Sequence, residues 1–438
     1  MKTKLLFSLF FSGGLTLFAQ QFLPHRCLTN EYSQHLEEVQ PGTLNSISSA
    51  FELNRDLIRS ATYSKSGNEY IIPVVFHVVY NNQVQNLADS VILSQLQVLN
   101  EDYGGTNADS VNLRNQFFPY RGRARVKFVL ATYDPDGNPT TGITRTQTSV
   151  ESFSNNSMDP SFDDLERVKS SVDGGKDAWN TNKYLNIWVC NMAFTYNGIT
   201  IPLLLGYAKP PINMSNWPVG SVPPIGDGVV LQYQTVGRNN PSSPVVFGTV
   251  SIEFYGRTAT HEVGHYLGLR HIWGDGDCNM DDGITDTPNA SASSETDCDK
   301  TKNTCTDNIG GLDLDDLVEN FMDYAAEDCQ NMFTAQQVEL MRSVLENQRF
   351  DLTHDNVNSV TKMEYLTAQL YPNPVTDAFR LETSSAINGV VELVDVAGRV
   401  VKQSLVSGAH SVIQVSDLNG GVYTVNFEGR QITKFVKM

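Results

Sequence analysis

The sequence predicts a mixed α/β domain followed by a small all-β domain. Two adjacent stretches and one later change of character carry this. "YIIPVVFHVVY" (70–80) is rich in β-branched residues and reads as a core strand, and "SVILSQLQVLNEDYGG" (90–105) then repeats apolar residues at helical spacing. From about residue 367 the chain turns to short apolar runs separated by turn residues, as in a small β-sandwich. The 438 residues suffice for two or three domains, and 40% hydrophobic against 18% charged residues is globular composition.

The elements follow in order. Residues 1–20 read as a secretory signal peptide. Lys2 and Lys4 precede an apolar run from Leu5 to Phe18, interrupted by Ser8, Ser12, Gly13, Gly14 and Thr16, and Ala19 offers a cleavage point. The run is too short for a comfortable membrane span and no later stretch is long enough, so an exported chain with no transmembrane span is expected. A polar, helix-leaning segment (21–66) precedes the first strand. In the helix that follows, Ile92, Leu96, Leu99 and Tyr103 share a face and Gly104-Gly105 stops it. "ARVKFVLATY" alternates as a strand and "DPDGNPTTG" turns; "YLNIWVCNM" and "GDGVVLQYQTV" are two further strands. Residues 272–330 are acidic and loop-rich. A helix starts at Thr334, where Thr334 and Gln337 form a capping box and Phe333 can staple to Val338. It closes the domain near residue 350.

The formal net charge of -18 argues against a nucleic-acid partner, which needs a Lys/Arg surplus. Acidic loops serve hard cations, attract basic substrates, or simply keep an exported protein soluble. Of the six cysteines, Cys278, Cys298, Cys305 and Cys329 cluster; in an oxidising compartment they are most simply two disulfides. A four-cysteine zinc site competes, but close CxxC pairs are absent. Cys190 belongs to a buried strand.

Three of the eight histidines fall in "HEVGHYLGLRH" (261–271). His261 and His265 are four apart and share one face of a helix, so their imidazoles can converge on one ion, which borderline-soft zinc suits. Glu262 is one position round and can reach a water on that ion. Gly268 tolerates left-handed backbone angles, so the chain can turn and bring back His271 as third ligand. A buried structural histidine trio would have no need of Glu262 or Gly268.

This longer pattern is the signature of the metzincin clan of zinc peptidases. The clan also has a methionine turn beneath the metal, and Met322 in "NFMDY" lies at a suitable distance. "IPVVFHVVY", "YLNIWV", "LLGYAKPP", "DGVVLQY", "GRTATHEVGHYLGLRH" and "NFMDYAAEDC" further resemble, in order, the blocks of the pappalysin family, especially its short microbial members. The resemblance runs from about residue 20 to 350. It implies a metzincin-like catalytic domain with an active-site helix, His261, His265 and His271 as zinc ligands, and Glu262 as general base. Tyr324 becomes a phenol that helps stabilise the transition state. The expected activity is zinc-dependent endoproteolysis of protein or peptide substrates, with a substrate strand added along "LLGYAKPP" or "GVVLQY".

The resemblance reaches the loops as well. In similar members an aspartate at Asp328 lines the pocket for the residue after the cut and favours Arg or Lys there; the plain alternative is a solvated loop aspartate. "DGDCNMDDGITDTP" (275–288) fails as an EF-hand because Met280 replaces the glycine and Asp286 the final glutamate. The family binds calcium in this region, which points to Asp282, Thr285 and Thr287, against a merely acidic surface loop. Its disulfide pattern implies Cys278–Cys305 and Cys298–Cys329. Cys27, in "HRCLTNEY", resembles the pro-segment cysteine whose thiolate occupies the zinc in the latent enzyme, although Leu28 stands where the motif has glycine. A cysteine awaiting another partner is the rival reading.

The tail, through "LYPNPVTDAFRLE", "VELVDVAGRVV" and "LNGGVYTVNF", resembles the C-terminal sorting domain of type IX secretion. The expected order is signal peptide 1–20, pro-segment 21–66, zinc peptidase domain 67–352, linker 353–366 and sorting domain 367–438. The type IX machinery is the implied partner, and a secreted or cell-surface location the implied destination. Two other functions remain open: a catalytically silent surface adhesin that keeps the metal for structure, and hydrolysis of a non-protein amide.

Overall fold

The computed structural model describes residues 25–60, 69–157, 159–196, 199–202, 204–212, 227–247, 250–294, 298–354, 368–396, 399–427 and 430–438. The expected signal peptide, and the expected linker beyond His354, lie outside them. The chain divides into two compact units, 1–358 and 359–438.

In the first unit, strand β1 (His25–Cys27) leads into helices α1 (Thr29–Val39) and α2 (Thr43–Arg59). Then come β2 (Tyr70–Tyr80), α3 (Asp89–Gly104), β3 (Val126–Leu130), β4 (Ile143–Gln147), the short α4 (Phe162–Glu166) and β5 (Leu185–Cys190). Two hairpins, β6 (Phe194–Tyr196) with β7 (Ile199–Ile201) and β10 (Val245–Phe247) with β11 (Val250–Ile252), flank β8 (Leu204–Ala208) and β9 (Val229–Gln232). Helix α5 (Arg257–Tyr266) carries the histidine stretch, and α6 (Ala335–Glu346) and α7 (Phe350–His354) end the unit.

The sheet order is β1-β8-β9-β5-β2-β3, with β4 also paired to β2. The β-branched run makes β2 the spine: Tyr70–Val74 pair with β3 and Phe76–Tyr80 with β4, all parallel. β5 and β9 continue in parallel, whereas β8 runs antiparallel to β9. Strands buried on both faces read as continuous apolar runs, which is why "LNIWVC" shows no alternation. Alternate side chains serve two cores. Ile72, Val74, Phe76, Ile187 and Leu231 face the cluster shared with α3, α5 and α6, while Val79, Trp188, Cys190 and Val230 face one shared with Tyr32 and Leu36 of α1.

The expected stop signals operate. Gly105 has φ +58° and its N–H returns to the carbonyls of Asp102 and Glu101, closing α3. The capping box at Thr334 forms both ways, Gln337 N–H to Thr334 Oγ1 at 3.2 Å and Thr334 N–H to Gln337 Oε1 at 2.9 Å. That helix ends at Glu346, and a separate turn of helix carries the chain past residue 350.

The second unit is antiparallel β, as expected of a small sandwich. β12 (Ala368–Tyr371) and β15 (Gly421–Phe427) pair with opposite ends of the long β13 (Ala378–Asp395), β14 (Val400–Gln414) runs beside most of it, and β16 (Arg430–Lys437) pairs with β15. A register break between Glu382 and Ile387 lets β13 serve both ends, around a core of Phe379, Leu381, Leu393, Ile413, Val425 and Phe435.

Candidate active site

Helix α5 is buried along its whole length. Two of its N-terminal N–H groups, orphaned by geometry, donate to the Glu327 carboxylate, Arg257 N at 3.1 Å and Thr258 N at 2.7 Å, and Tyr255 N, just ahead of the helix, donates to it at 2.5 Å. A Cβ on Gly264 would overlap Met322 Sδ, so the methionine lies directly against the helix between its two histidines. Gly268, at φ +94°, turns the chain after the helix; a Cβ there would press on Val344 and Leu340. The turn returns His271 to the helix face.

The three imidazoles then meet. His265 Nε2 lies 3.1 Å from His261 Nε2 and 3.0 Å from His271 Nε2. Each Nδ1 points at an oxygen: His261 at Phe321 O (2.8 Å), His265 at Leu269 O (2.8 Å) and His271 at Asp275 Oδ1 (2.6 Å). A carbonyl or carboxylate only accepts, so the Nδ1 atoms carry the protons and the Nε2 lone pairs face one another. Burial, then the neighbouring His271, pulls the pKa of His265 down to about 3, so mutual protonation does not relieve the crowding. A divalent cation does. The Cys27 sulfur belongs to the same cluster, whose ligand atoms all lie within 4.8 Å of one another. Three imidazoles and a thiol form a borderline-soft, four-atom donor set, which fits zinc.

Around this centre, Cys27 Sγ and Thr29 Oγ1 donate to Glu262 Oε2 at 3.4 and 3.1 Å, while Glu262 Oε1 is buried without a hydrogen-bond partner. Burial pushes the Glu262 carboxyl up to about 8 against those two hydrogen bonds, and burial with the Glu262 charge raises the Cys27 thiol. Tyr324 stands 5.6 and 5.0 Å from the rings of His261 and His271, and its hydroxyl donates to Cys27 O at 3.2 Å. Trp273 stacks on His271 at 4.4 Å.

A cleft of about 430 Å³ opens beside the cluster, lined by His261, Glu262, Tyr324, Leu205, Glu253 and Asp328 among others. Asp328 is exposed on it; Glu327 is buried and committed to the helix. The disulfides pair alternate cysteines, Cys278–Cys305 and Cys298–Cys329. The second anchors the residue next to Asp328, and its sulfurs are no longer free to hold a metal beside that carboxylate.

The acidic loop is less convergent. Asp282 is buried and accepts from Ile284 N (2.9 Å) and Thr287 Oγ1 (2.8 Å). Burial raises its pKa well above normal, with the charges of Asp281 and Asp286 adding to the rise. Thr285 turns its hydroxyl away, to Gln336 Oε1 at 3.0 Å. The structure thus brings Asp282 and Thr287 side chains together and not that of Thr285.

Sequence reasoning missed Thr29, Glu327, Asp275 and Trp273. Asp275 was findable, four residues after His271; Thr29 and Glu327 were not, because their partners are far along the chain.

Residues 246–346 match the family model described as pregnancy-associated plasma protein-A (peptidase M43), and 369–438 match that of the secretion system C-terminal sorting domain. Among solved structures, mature mirolysin of Tannerella forsythia in complex with a cleaved peptide is 41% identical with TM-score 0.55, over 68% of this chain and 99% of that one. A promirolysin mutant from the same organism is 38% identical with TM-score 0.59, over 76% and 98%. An extracellular metalloprotease of Arthroderma gypseum is 24% identical over 73% of this chain and 81% of its own length.

Proposed function

The chain belongs to the pappalysin family of metalloendopeptidases and carries a type IX sorting domain, and from that premise we propose how its own residues divide the work. His261, His265 and His271 would hold zinc through Nε2. The observation that carries this is the trio of Nδ1 anchors, which leave three lone pairs facing one another. When bound, zinc supplies a Lewis acid that makes a water acidic near neutral pH and draws charge from a carbonyl. Glu262 takes the proton of the attacking water and returns it to the departing amine. The Tyr324 hydroxyl, freed from Cys27 O, donates to the carbonyl oxygen as charge grows there. Met322 supports the helix from below.

The substrate backbone pairs with β8, the strand that β1 pairs with in this chain. Asp328 favours Arg or Lys after the cut, aided by the acidic lining that Glu253 contributes. Asp282 and Thr287, with Thr285 reaching through its backbone carbonyl, form a structural calcium site. Residues 21–66 are a pro-segment in which Cys27 takes the fourth zinc position and Thr29 holds Glu262, so the precursor is latent; removal near Arg55 or Arg59 activates it. Residues 67–352 form the catalytic domain and 353–366 a linker. Secretion follows from the tail, with the signal at 1–20 directing the first step; among the described residues no helix is long and apolar enough to cross a membrane.

The test is a fluorogenic peptide with Arg after the cut, assayed with and without chelator. Cleavage that a chelator abolishes and added zinc restores is expected; chelator-insensitive cleavage refutes the metal assignment.

A further inference from the structure

Helix α1 reaches beyond the histidine cluster and buries one side chain completely. Tyr32 is fully enclosed, its ring 5.3 Å from Phe162 and 5.2 Å from Tyr207. Its hydroxyl donates to Glu166 Oε2 at 2.9 Å, and Tyr207 donates to the other oxygen at 2.9 Å. Lys169, itself almost fully buried, lies 2.7 Å from Glu166 and puts its ammonium 4.9 Å from the Tyr32 ring centre and 5.0 Å from that of Tyr207. Tilted aromatic rings, a carboxylate for the hydroxyl and a cation over the ring face together recognise a phenol. Phe162, Glu166, Lys169 and Tyr207 all belong to the part of the chain that follows the expected pro-segment, while Leu28 and Leu36 of that segment pack in the same cluster and His35 stacks on Phe162.

The cage also has a defined place along β8. Leu205 lines the Asp328 cleft, a Cβ on Gly206 would sit 2.8 Å from Glu262 Cγ, and Tyr207 walls the cage. Leu205 and Tyr207, two apart, lie on the same face of β8 while Gly206 turns to Glu262. A peptide strand beside β8 likewise carries every second side chain along one face, so one can meet the cleft and the next but one the cage. We propose that the Tyr32 cage is a subsite for an aromatic, preferably phenolic, side chain of the substrate, upstream of the cut and on the far side of Glu262 from the Asp328 pocket. Tyr32 occupies it in the precursor and thereby holds the pro-segment by a contact independent of metal. This rests on the protease reading given above.

The test uses the enzyme after it has shed its own pro-segment, with peptides that carry Arg after the cut and Tyr, Phe or Ala at successive upstream positions. At one position Tyr should raise kcat/KM about tenfold or more over Ala, with Phe between them. Glu166→Gln should erase the advantage of Tyr over Phe. Absence of any upstream preference for Tyr, or a preference that survives Phe162→Ala, overturns the subsite. Should either variant fail to fold, a labelled peptide of residues 28–39, which has Tyr32 but not Cys27, answers with the unaltered enzyme. Its binding, read by fluorescence anisotropy with a zinc chelator present, should weaken about tenfold on Tyr32→Ala; equal binding of the two peptides overturns the proposal. That readout needs no turnover. A chain that cuts nothing yet prefers the Tyr peptide would refute the protease reading and leave the cage standing.

Discussion

The histidine cluster and the acidic loop behind it are neighbours in sequence, yet they are organised by different means. In the cluster each imidazole is aimed by its own oxygen acceptor, and all three ring faces are set by one helix and one glycine turn. In the loop, Asp282 turns inward to Thr287 and a backbone N–H while Thr285 faces Gln336. A helix imposes convergence through its period; a loop must build it from individual hydrogen bonds. Asp275 belongs to both, opening the loop and orienting His271.

The largest effect that would break this contrast is at Glu262. Glu262→Ala should keep bound zinc, measured by elemental analysis, and lose at least about a thousandfold in kcat, as removal of a general base does; full activity refutes the assignment. At the junction, Asp275→Ala should weaken zinc binding by about ten- to a hundredfold in a competition titration, because the acceptor that orients His271 is lost. An unchanged affinity would mean the loop plays no part in the cluster. Next, Asp328→Ala should lower the kcat/KM preference for Arg over Ala after the cut by about tenfold or more. A preference left untouched removes Asp328 from the pocket.

The smallest effect tests the loop alone. Burial holds the Asp282 pKa above the ordinary 3.8, so the unfolded chain ionises first as pH rises. In calcium-stripped protein the stability present below that value should be lost as pH climbs through the interval up to the raised pKa. Saturating calcium, binding the ionised form, should reverse the slope and raise Tm by a few degrees. Melting curves across pH with and without calcium read this directly; identical curves would dismiss the calcium site.

The same contrast explains what was legible. The i, i+4 histidines, the glycine at φ +94° and the capping box at Thr334 obey rules spanning a few residues, so the sequence displays them. The core strand at 70–80 and the stop at Gly104-Gly105 were visible for the same reason. Glu327 capping α5, Thr29 on Glu262 and the cage around Tyr32 are pairings between remote segments, and no local pattern marks them. Leu96, expected on the buried face of α3, is only partly covered, since the periodicity locates a stripe and not its edge.

On the proposed pro-segment reading, Cys27 and Thr29 both rest on Glu262 Oε2, so a latent molecule does not offer that oxygen to its own chain and is opened by a molecule already processed. Maturation should then show a lag that shortens as the precursor is concentrated or seeded with finished enzyme. A chain diluted inside the periplasm would stay dormant, and one crowded at the cell exterior would ignite.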